Sequence, residues 1–387
     1  MFDGSGQRCK VSGMRPWMAL LAMVPACGFQ SSAAHDGGDD SGTPNGPRCF
    51  GSFVTVCFTT LADVPTKSVM VLDDLPIDTG SWSMCDQHND QMTKYCVVAG
   101  TSFTLSPSKT IRAYGSKPLV LLSTSTMTLP ALSTVDVSSN RLNDSTDPKA
   151  KGAGANPAAC ATNAGTPPEM AGGGYGGSFG GKGGDGERLS GAQATSGIAA
   201  AALSAPPTLL RGGCSGGNGD NTGGAGGSGG GVVALIATTS ILLDGTINAS
   251  GAGGHGSPAT KSGGGGGGSG GMIVLDSPSI TGTAGTGPLF ANGGSGGQGG
   301  TGGGAPATGD DGTEPAAPST AATGGNNTTG RDGGSGGTGS SGTRLIGTNA
   351  GNTPAGPNGG GGGGGGGAGF IRAHGIAVNI APPSFVQ

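Results

Sequence analysis

Large side chains are scarce in this chain: aromatic residues make up 4% of it, and hydrophobic residues, alanine included, 33%. A compact two-layer enzyme domain needs a thick core of large apolar side chains, and this composition argues against one. Charge is scarce as well, at 11% of residues with a formal net charge of −4. No basic surface is available for a phosphate backbone, so nucleic acid is not an expected partner. Helix signals are nearly absent, since the one Ala-rich stretch, Ile198-Ala-Ala-Ala-Ala-Leu-Ser204, is stopped by Pro206-Pro207. What the chain has instead is glycine: 89 Gly and 25 Pro together form 29% of 387 residues. That lies in the low-complexity range, and the absence of a continuous Gly-X-Y period excludes collagen.

Arg15 precedes the apolar run Trp17-Met-Ala-Leu-Leu-Ala-Met-Val-Pro-Ala26. Ten residues are too few to span a bilayer and suit the apolar region of a signal peptide. The run ends in Val24-Pro25-Ala26-Cys27-Gly28, which resembles a bacterial lipobox, with Pro25 as a departure from the usual pattern. Residues 1–26 therefore read as a signal peptide, with Met1 or Met14 as start, and Cys27 as the lipidation site. Plain secretion after Ala26 is the alternative. The expected location is the outer membrane or cell surface, with the membrane as partner through the lipid. Cleavage removes Asp3, Arg8, Lys10 and Arg15, leaving 16 basic and 22 acidic residues, a net charge of −6. Residues 27–47 are polar and turn-rich and read as a flexible tether.

Six cysteines remain beyond Cys9 and Cys27: Cys49, Cys57, Cys85, Cys96, Cys160 and Cys214. An even number in an exported chain points to disulfides. Pairing of neighbours, Cys49–Cys57, Cys85–Cys96 and Cys160–Cys214, is favoured because the first two pairs close short loops between expected strands. A metal site lacks a Cys-x-x-Cys pair or a nearby histidine cluster, and no metal or cofactor is expected.

Short segments rich in Val, Ile, Leu and Thr interrupt the glycine and have strand composition. They recur as strand, turn, strand, turn, strand over about twenty residues, the length of one coil of a parallel β-solenoid. Examples run from Tyr95 to Tyr114, Pro118 to Ser139, Val232 to Gly251, Gly271 to Gly294, and Gly369 to Ile380. The fold expected is all-β, a parallel β-solenoid or β-helix with long Gly-rich insertions. It has disulfide-bearing coils over 48–140, an insertion over 141–231, central coils over 232–292, a second insertion over 293–367 and a terminal coil over 368–387. A shorter Gly-rich stretch, 251–270, interrupts the central coils. The insertions read as disordered loops leaving one face, because glycine loses the most entropy on ordering. Close-packed polyglycine in an extended form of polyproline II type, its Cα–H groups approaching carbonyls, is the competing reading.

The segments Tyr95-Cys-Val-Val-Ala-Gly-Thr, Arg112-Ala-Tyr-Gly-Ser-Lys-Pro-Leu-Val-Leu, Leu210-Arg-Gly-Gly-Cys214, Gly270-Gly-Met-Ile, Phe290-Ala-Asn-Gly-Gly and Gly367-Ala-Gly-Phe-Ile-Arg-Ala373 carry a resemblance. Together they resemble Gly-rich surface lipoproteins of myxobacterial type, over nearly all of 48–387. The resemblance implies location and architecture and brings no catalytic residue.

Four features bear on chemistry. Asp78-Thr79-Gly80-Ser81 matches the tetrapeptide of aspartic proteases, but a second copy is missing and a turn is expected there. Gly180-Gly-Lys-Gly-Gly-Asp185 is similar to a calcium-binding nonapeptide, yet occurs once, with Glu187 where an aliphatic residue belongs. His35, His88, His255 and His374 are isolated and read as surface or turn residues. Asp244 and Asp276 stand at comparable positions of neighbouring coils and are the candidate pair for a polysaccharide-cleaving β-helix enzyme. The leading expectation is a non-catalytic, exported envelope lipoprotein with a structural or adhesive role, contacting extracellular polysaccharide or other surface proteins. The alternatives are that lyase or hydrolase, or an ice- or surface-binding protein. The last is weakened because threonines do not recur at one fixed coil position.

Overall fold

The computed structural model describes residues 46–81, 83–141, 147–188, 195–220, 222–283, 287–301, 308–326, 333–351 and 359–377. The export segment, Cys27, His35 and all but the last two residues of the tether lie outside them. The first strands among the described residues are an antiparallel hairpin of β1 (Arg48–Phe50) and β2 (Val56–Phe58). There follow β3 (Val69–Val71), β4 (Leu75–Asp78), β5 (Cys96–Gly100), β6 (Phe103–Leu105), β7 (Thr110–Tyr114), β8 (Leu119–Ser123), β9 (Thr126–Leu129) and β10 (Thr134–Asp136). After the first Gly-rich region come β11 (Val232–Ala237), β12 (Ser240–Leu243), β13 (Thr246–Asn248), β14 (Met272–Thr281), β15 (Leu289–Phe290) and β16 (Phe370–Ala377).

From β3 onward every strand pairing is parallel. Three stacks result: β5-β8-β11-β14-β16, β3-β6-β9-β12-β14 and β4-β7-β10-β13-β15, with the long β14 shared by the first two. Register places like residues over one another. Cys96, Leu119, Val233, Ile273 and Ile371 form one interior column. Val69, Phe103, Met127, Ile241 and Ile280 form a second, and Leu75, Ile111, Val135, Ile247 and Leu289 a third. These columns meet in a single apolar interior whose one aromatic is Phe103. Aliphatic side chains stacked at the strand spacing of about 4.8 Å fill it, which is how a chain poor in aromatics obtains a core. The strands β3 and β4 escaped the sequence pattern because Asp73-Asp74 and Pro76 break their alternation.

The first stack is buried on both faces. Its outer face, including Val97, Val120, Leu122, Ala234, Met272 and Phe370, is covered by Val54, Val56 and Phe58 of the hairpin region and by Tyr95, Phe179 and Leu210. Strands enclosed in this way read as continuous apolar runs, as Leu119–Ser123 does.

The expectation of disordered insertions is overturned wherever the insertions are described. Along 263–271, the N–H groups of residues 264, 267 and 270 donate to carbonyls of 361, 364 and 367. Those of 265, 268 and 271 donate to 255, 252 and 249, and those of 263, 266 and 269 to 220, 217 and 214. Bonding that changes partner at each residue and returns after three defines a threefold extended helix, and none of these glycines has positive φ, as in polyproline II. Carbonyls of 262–269 accept from 174 and 177, from 224, 227 and 230, and from 294, 297 and 300. The segment therefore has six hydrogen-bonded neighbours. Residues 359–369 have six as well: they donate to 171–177, 291–300 and 345–348, and accept from 264–270, 334–340 and 181–187.

The two uninterrupted glycine runs, Gly263–Gly268 and Gly359–Gly367, are these two enclosed segments. A Cβ on Gly266 would stand 1.9 Å from the Tyr175 carbonyl oxygen, and one on Gly363 would stand 2.0 Å from that of Gly265. The α-hydrogens instead face carbonyls, a contact that adds to the hydrogen bonds. Outer segments carry a side chain at every third residue, as in Gly-Gly-Ser-Gly-Gly-Gln over 293–298 and Gly-Gly-Ala-Gly-Gly-Ser over 223–228. Ordering thus offsets the entropy cost by pairing most backbone groups of the enclosed segments without water. The Ala-rich stretch 197–203 joins this bundle in extended form rather than as a helix.

The cysteines pair as Cys49–Cys57, Cys85–Cys96 and Cys160–Cys214. The first bond joins opposed residues of β1 and β2. The third ties the segment before the bundle to one of its members.

Candidate functional site

The motifs singled out in the sequence are occupied structurally. Asp78 ends β4, and its Oδ1 accepts from the Gly80 N–H at 2.9 Å, while Ser81 N–H donates to the Asp78 carbonyl at 3.2 Å. This is a side-chain-braced turn. Asp185 accepts from the Ala199 N–H at 2.9 Å and pairs with Lys182 at 3.2 Å, linking neighbouring bundle segments. His88 and His255 lie 3.7 Å and 3.8 Å from Asp86 and Asp311, far apart in the chain and on separate elements. Among the described residues, no three His, Cys, Asp or Glu side chains gather into a metal-binding group.

The comparable placement of Asp244 and Asp276 does not hold. Asp276 sits in β14 opposite Ile236 of β11, whereas Asp244 follows β12 and accepts from the Thr283 N–H at 2.6 Å, beyond the end of β14. The intervening turns put the two carboxylates at different coil positions. Asp276 is buried, at 4% exposure, and its Oδ2 accepts from the N–H groups of Ser52 and Phe53, the latter at 3.0 Å. Its Oδ1 lies 3.2 Å from Nδ1 of His374 on β16. The carboxylate clamps the hairpin region onto the edge of the first stack; charge-assisted bonds of this kind are roughly twice as strong as neutral ones. A cavity of about 310 Å³ lies beside it, lined by Ser52, Thr238, Ser277 and His374 among others.

Burial perturbs the titration of Tyr95, Tyr175 and Arg211. Desolvation pushes the Tyr95 and Tyr175 hydroxyls above the ordinary 10.0, opposed by their hydrogen bonds to the Leu210 and Gly165 backbones. Desolvation lowers Arg211, whose guanidinium stacks 5.0 Å from the Phe179 ring centroid and lies 3.3 Å from the Cys214 sulfur. These residues seal the joint between the first stack and the bundle.

The recurring surface is the outer face of the second stack, where serine and threonine together recur although threonine alone does not hold one position in every strand. Side chains alternate across a strand, so residues flanking the interior column Val69-Phe103-Met127-Ile241-Ile280 point outward. One outward column is Ser68, Ser102, Thr126, Ser240 and Ser279, each directly preceding its interior residue; the other is Met70, Thr104, Thr128, Leu242 and Thr281. Hydroxyls therefore recur at two register positions of the stacked strands. Ser102 Oγ donates to Ser68 Oγ at 2.8 Å, a cross-strand bond that steadies the stack. Among the described residues, the hydroxyls of Thr104, Thr126, Thr128, Ser240, Ser279 and Thr281 have no protein partner. Met70 and Leu242 are 63% and 39% exposed, and none of the ten positions is charged. The third stack presents a shorter column, Thr110, Thr134 and Thr246, next to the ion pair of Arg112 with Asp136 at 2.9 Å. Strand blocks of unequal length hid this recurrence; Ser102-Phe-Thr104, Thr126-Met-Thr128 and Ser279-Ile-Thr281 align only when anchored on the interior residue.

No family model, no curated protein and no solved structure matches this chain.

Proposed function

We propose that the protein is a non-catalytic lipoprotein of the bacterial envelope, exported by residues 1–26, anchored through Cys27, and acting as a rigid matrix-binding scaffold. The three strand stacks are read as the faces of a parallel β-solenoid, each coil giving one strand to each, with the polyglycine bundle as its buttress. The observation carrying this reading is the register of the second stack, which repeats uncharged hydroxyl side chains at one position in successive coils. A surface of that kind suits a repetitive ligand, and the parallel pairing of its strands holds it in register. The resemblance to Gly-rich myxobacterial lipoproteins supports the location.

Two measurements test the proposal. Metabolic lipid labelling of the producing cells should mark the protein and be abolished by Cys27→Ala, with release of the variant into the medium; an unlabelled wild-type protein would remove the anchor. Cosedimentation of the purified protein with isolated extracellular matrix should saturate without release of soluble sugar. Sugar release would make the protein an enzyme, and absence of binding would remove the matrix role.

A further inference from the structure

We infer that the outer face of the second stack is a binding site for a linear, uncharged polysaccharide lying along the stack axis. The inference rests on the matrix-binding reading and adds to it the site and the ligand class.

The face joins two kinds of surface that a sugar chain also joins. The column Ser68, Ser102, Thr126, Ser240 and Ser279 offers hydroxyls; the column Met70, Thr104, Thr128, Leu242 and Thr281 offers methyl and thioether groups with three further hydroxyls. Pyranose rings present hydroxyls at their edges and C–H groups on their faces, so one chain engages both columns at once. Strands repeat at about 4.8 Å along the stack, close to the length of one sugar ring, which gives each coil one ring to contact. Six of the hydroxyls are free of protein partners, so their hydrogen bonds with water are exchanged for bonds with ligand rather than taken from the fold. Charge selects among glycans. The chain is acidic overall, and none of the ten positions carries a cation, so a polyuronate finds no ion-pair partner among them. A neutral chain needs none. The other outer faces lack this combination: the first stack is covered, and the third carries the Arg112–Asp136 pair.

The test uses the full-length protein with three probes: microcrystalline cellulose as a neutral linear glycan, alginate gel as an acidic one, and the isolated matrix. Binding to cellulose is expected to exceed binding to alginate. T104R/T128R should weaken cellulose and matrix binding by about tenfold or more, and T126V/T128V, which keeps shape and strand propensity, should weaken it severalfold. T134R on the third stack should bind as wild type. Circular dichroism and thermal midpoints matching wild type separate loss of the site from loss of the fold. Matrix binding that survives both double variants would overturn this site while leaving the matrix reading intact. A preference for alginate would overturn the ligand class. Ice-crystal shaping by wild type that the double variants lose, without cellulose binding, would assign the same face to ice and overturn the glycan. No binding to any polymer would overturn the matrix reading itself.

Discussion

The strand stacks and the glycine bundle of this protein solve the same packing problem with opposite materials. In the stacks, the interior between backbones is filled by aliphatic side chains such as Leu121, Leu235 and Leu275, held in columns by parallel register. In the bundle nothing fills the interior, because the backbones themselves touch; carbonyl oxygens of neighbouring segments lie about 2 Å from where a Cβ would stand. The first region is stabilised by apolar area removed from water, the second by backbone hydrogen bonds in six directions and by Cα–H contacts. The difference teaches that low hydrophobicity does not by itself imply disorder when backbone groups find one another. It also gives the two regions opposite sensitivities: the stacks fail when atoms are removed, and the bundle fails when atoms are added.

The sharpest way to break this contrast is one added side chain. Gly266→Val places a branched side chain against the Tyr175 carbonyl at the centre of the bundle, and relief requires backbone displacement of several segments. Loss of hydrogen-exchange protection across 214–230 and 262–271 is expected, with destabilisation exceeding the roughly 1–3 kcal/mol of ordinary overpacking. Ala225→Ser, at an exposed outer position, should stay within about 0.5 kcal/mol. Equal effects at the two sites would refute the enclosed arrangement.

The next largest effect tests how the bundle is tied down. Cys160 and Cys214 are 54 residues apart, whereas Cys49 and Cys57 are 8 apart. Loop-closure entropy then assigns about 4 kcal/mol to the longer link and about 2.5 kcal/mol to the shorter. Denaturant titration of C160S/C214S against C49S/C57S should show the larger loss in the former, and the reverse order would place the stability of the molecule in the hairpin.

Removal of atoms from the stacks is the complementary perturbation. Leu121→Ala empties a fully buried interior position and is expected to cost about 3 kcal/mol, within the usual range for such truncations, as read from thermal unfolding. Exchange protection of the bundle residues should change less than that of β8 and β11; uniform loss would mean that the two regions unfold as one.

The smallest effect is at alkaline pH. Tyr95 covers the first stack and Tyr175 lies in the bundle, and burial raises both hydroxyls above 10.0. A raised folded-state value means that the stabilising contribution is complete below 10.0 and is lost as pH climbs through the folded value. Tyr95→Phe and Tyr175→Phe should each flatten the decline of stability above pH 10, followed by denaturant midpoints. An unchanged profile in both variants would assign that decline to other groups.

Much of the strand region was legible from residue pattern, because each strand signals itself locally. Ile111, Val135 and Ile247 alternate with polar residues in their own strands, and apolar runs such as Leu119–Ser123 mark a stack covered on both faces. The cysteine pairs are those adjacent along the chain. Less legible was β4, whose Pro76 and flanking aspartates disguise it. The hydroxyl columns were missed because Ser240 and Ser279 look unlike Thr126 until their strands are superposed. The bundle was half legible: Gly-Gly-X triplets around Ser295 and Gln298 state a threefold period, but only in short stretches rather than continuously along the chain.

By itself the sequence determined where side chains are forbidden, where strands run and where the interior faces of those strands lie, since all three follow from residue size and alternation within a few positions. Only the tertiary structure decided which glycine segments neighbour which, that Gly263–Gly268 and Gly359–Gly367 occupy the enclosed positions, and that five parallel strands align their hydroxyls in one face. The reason is that backbone N–H and C=O groups are the same in every residue. Their partners, drawn here from stretches up to roughly two hundred residues away, are selected by how the whole chain closes rather than by any local signal.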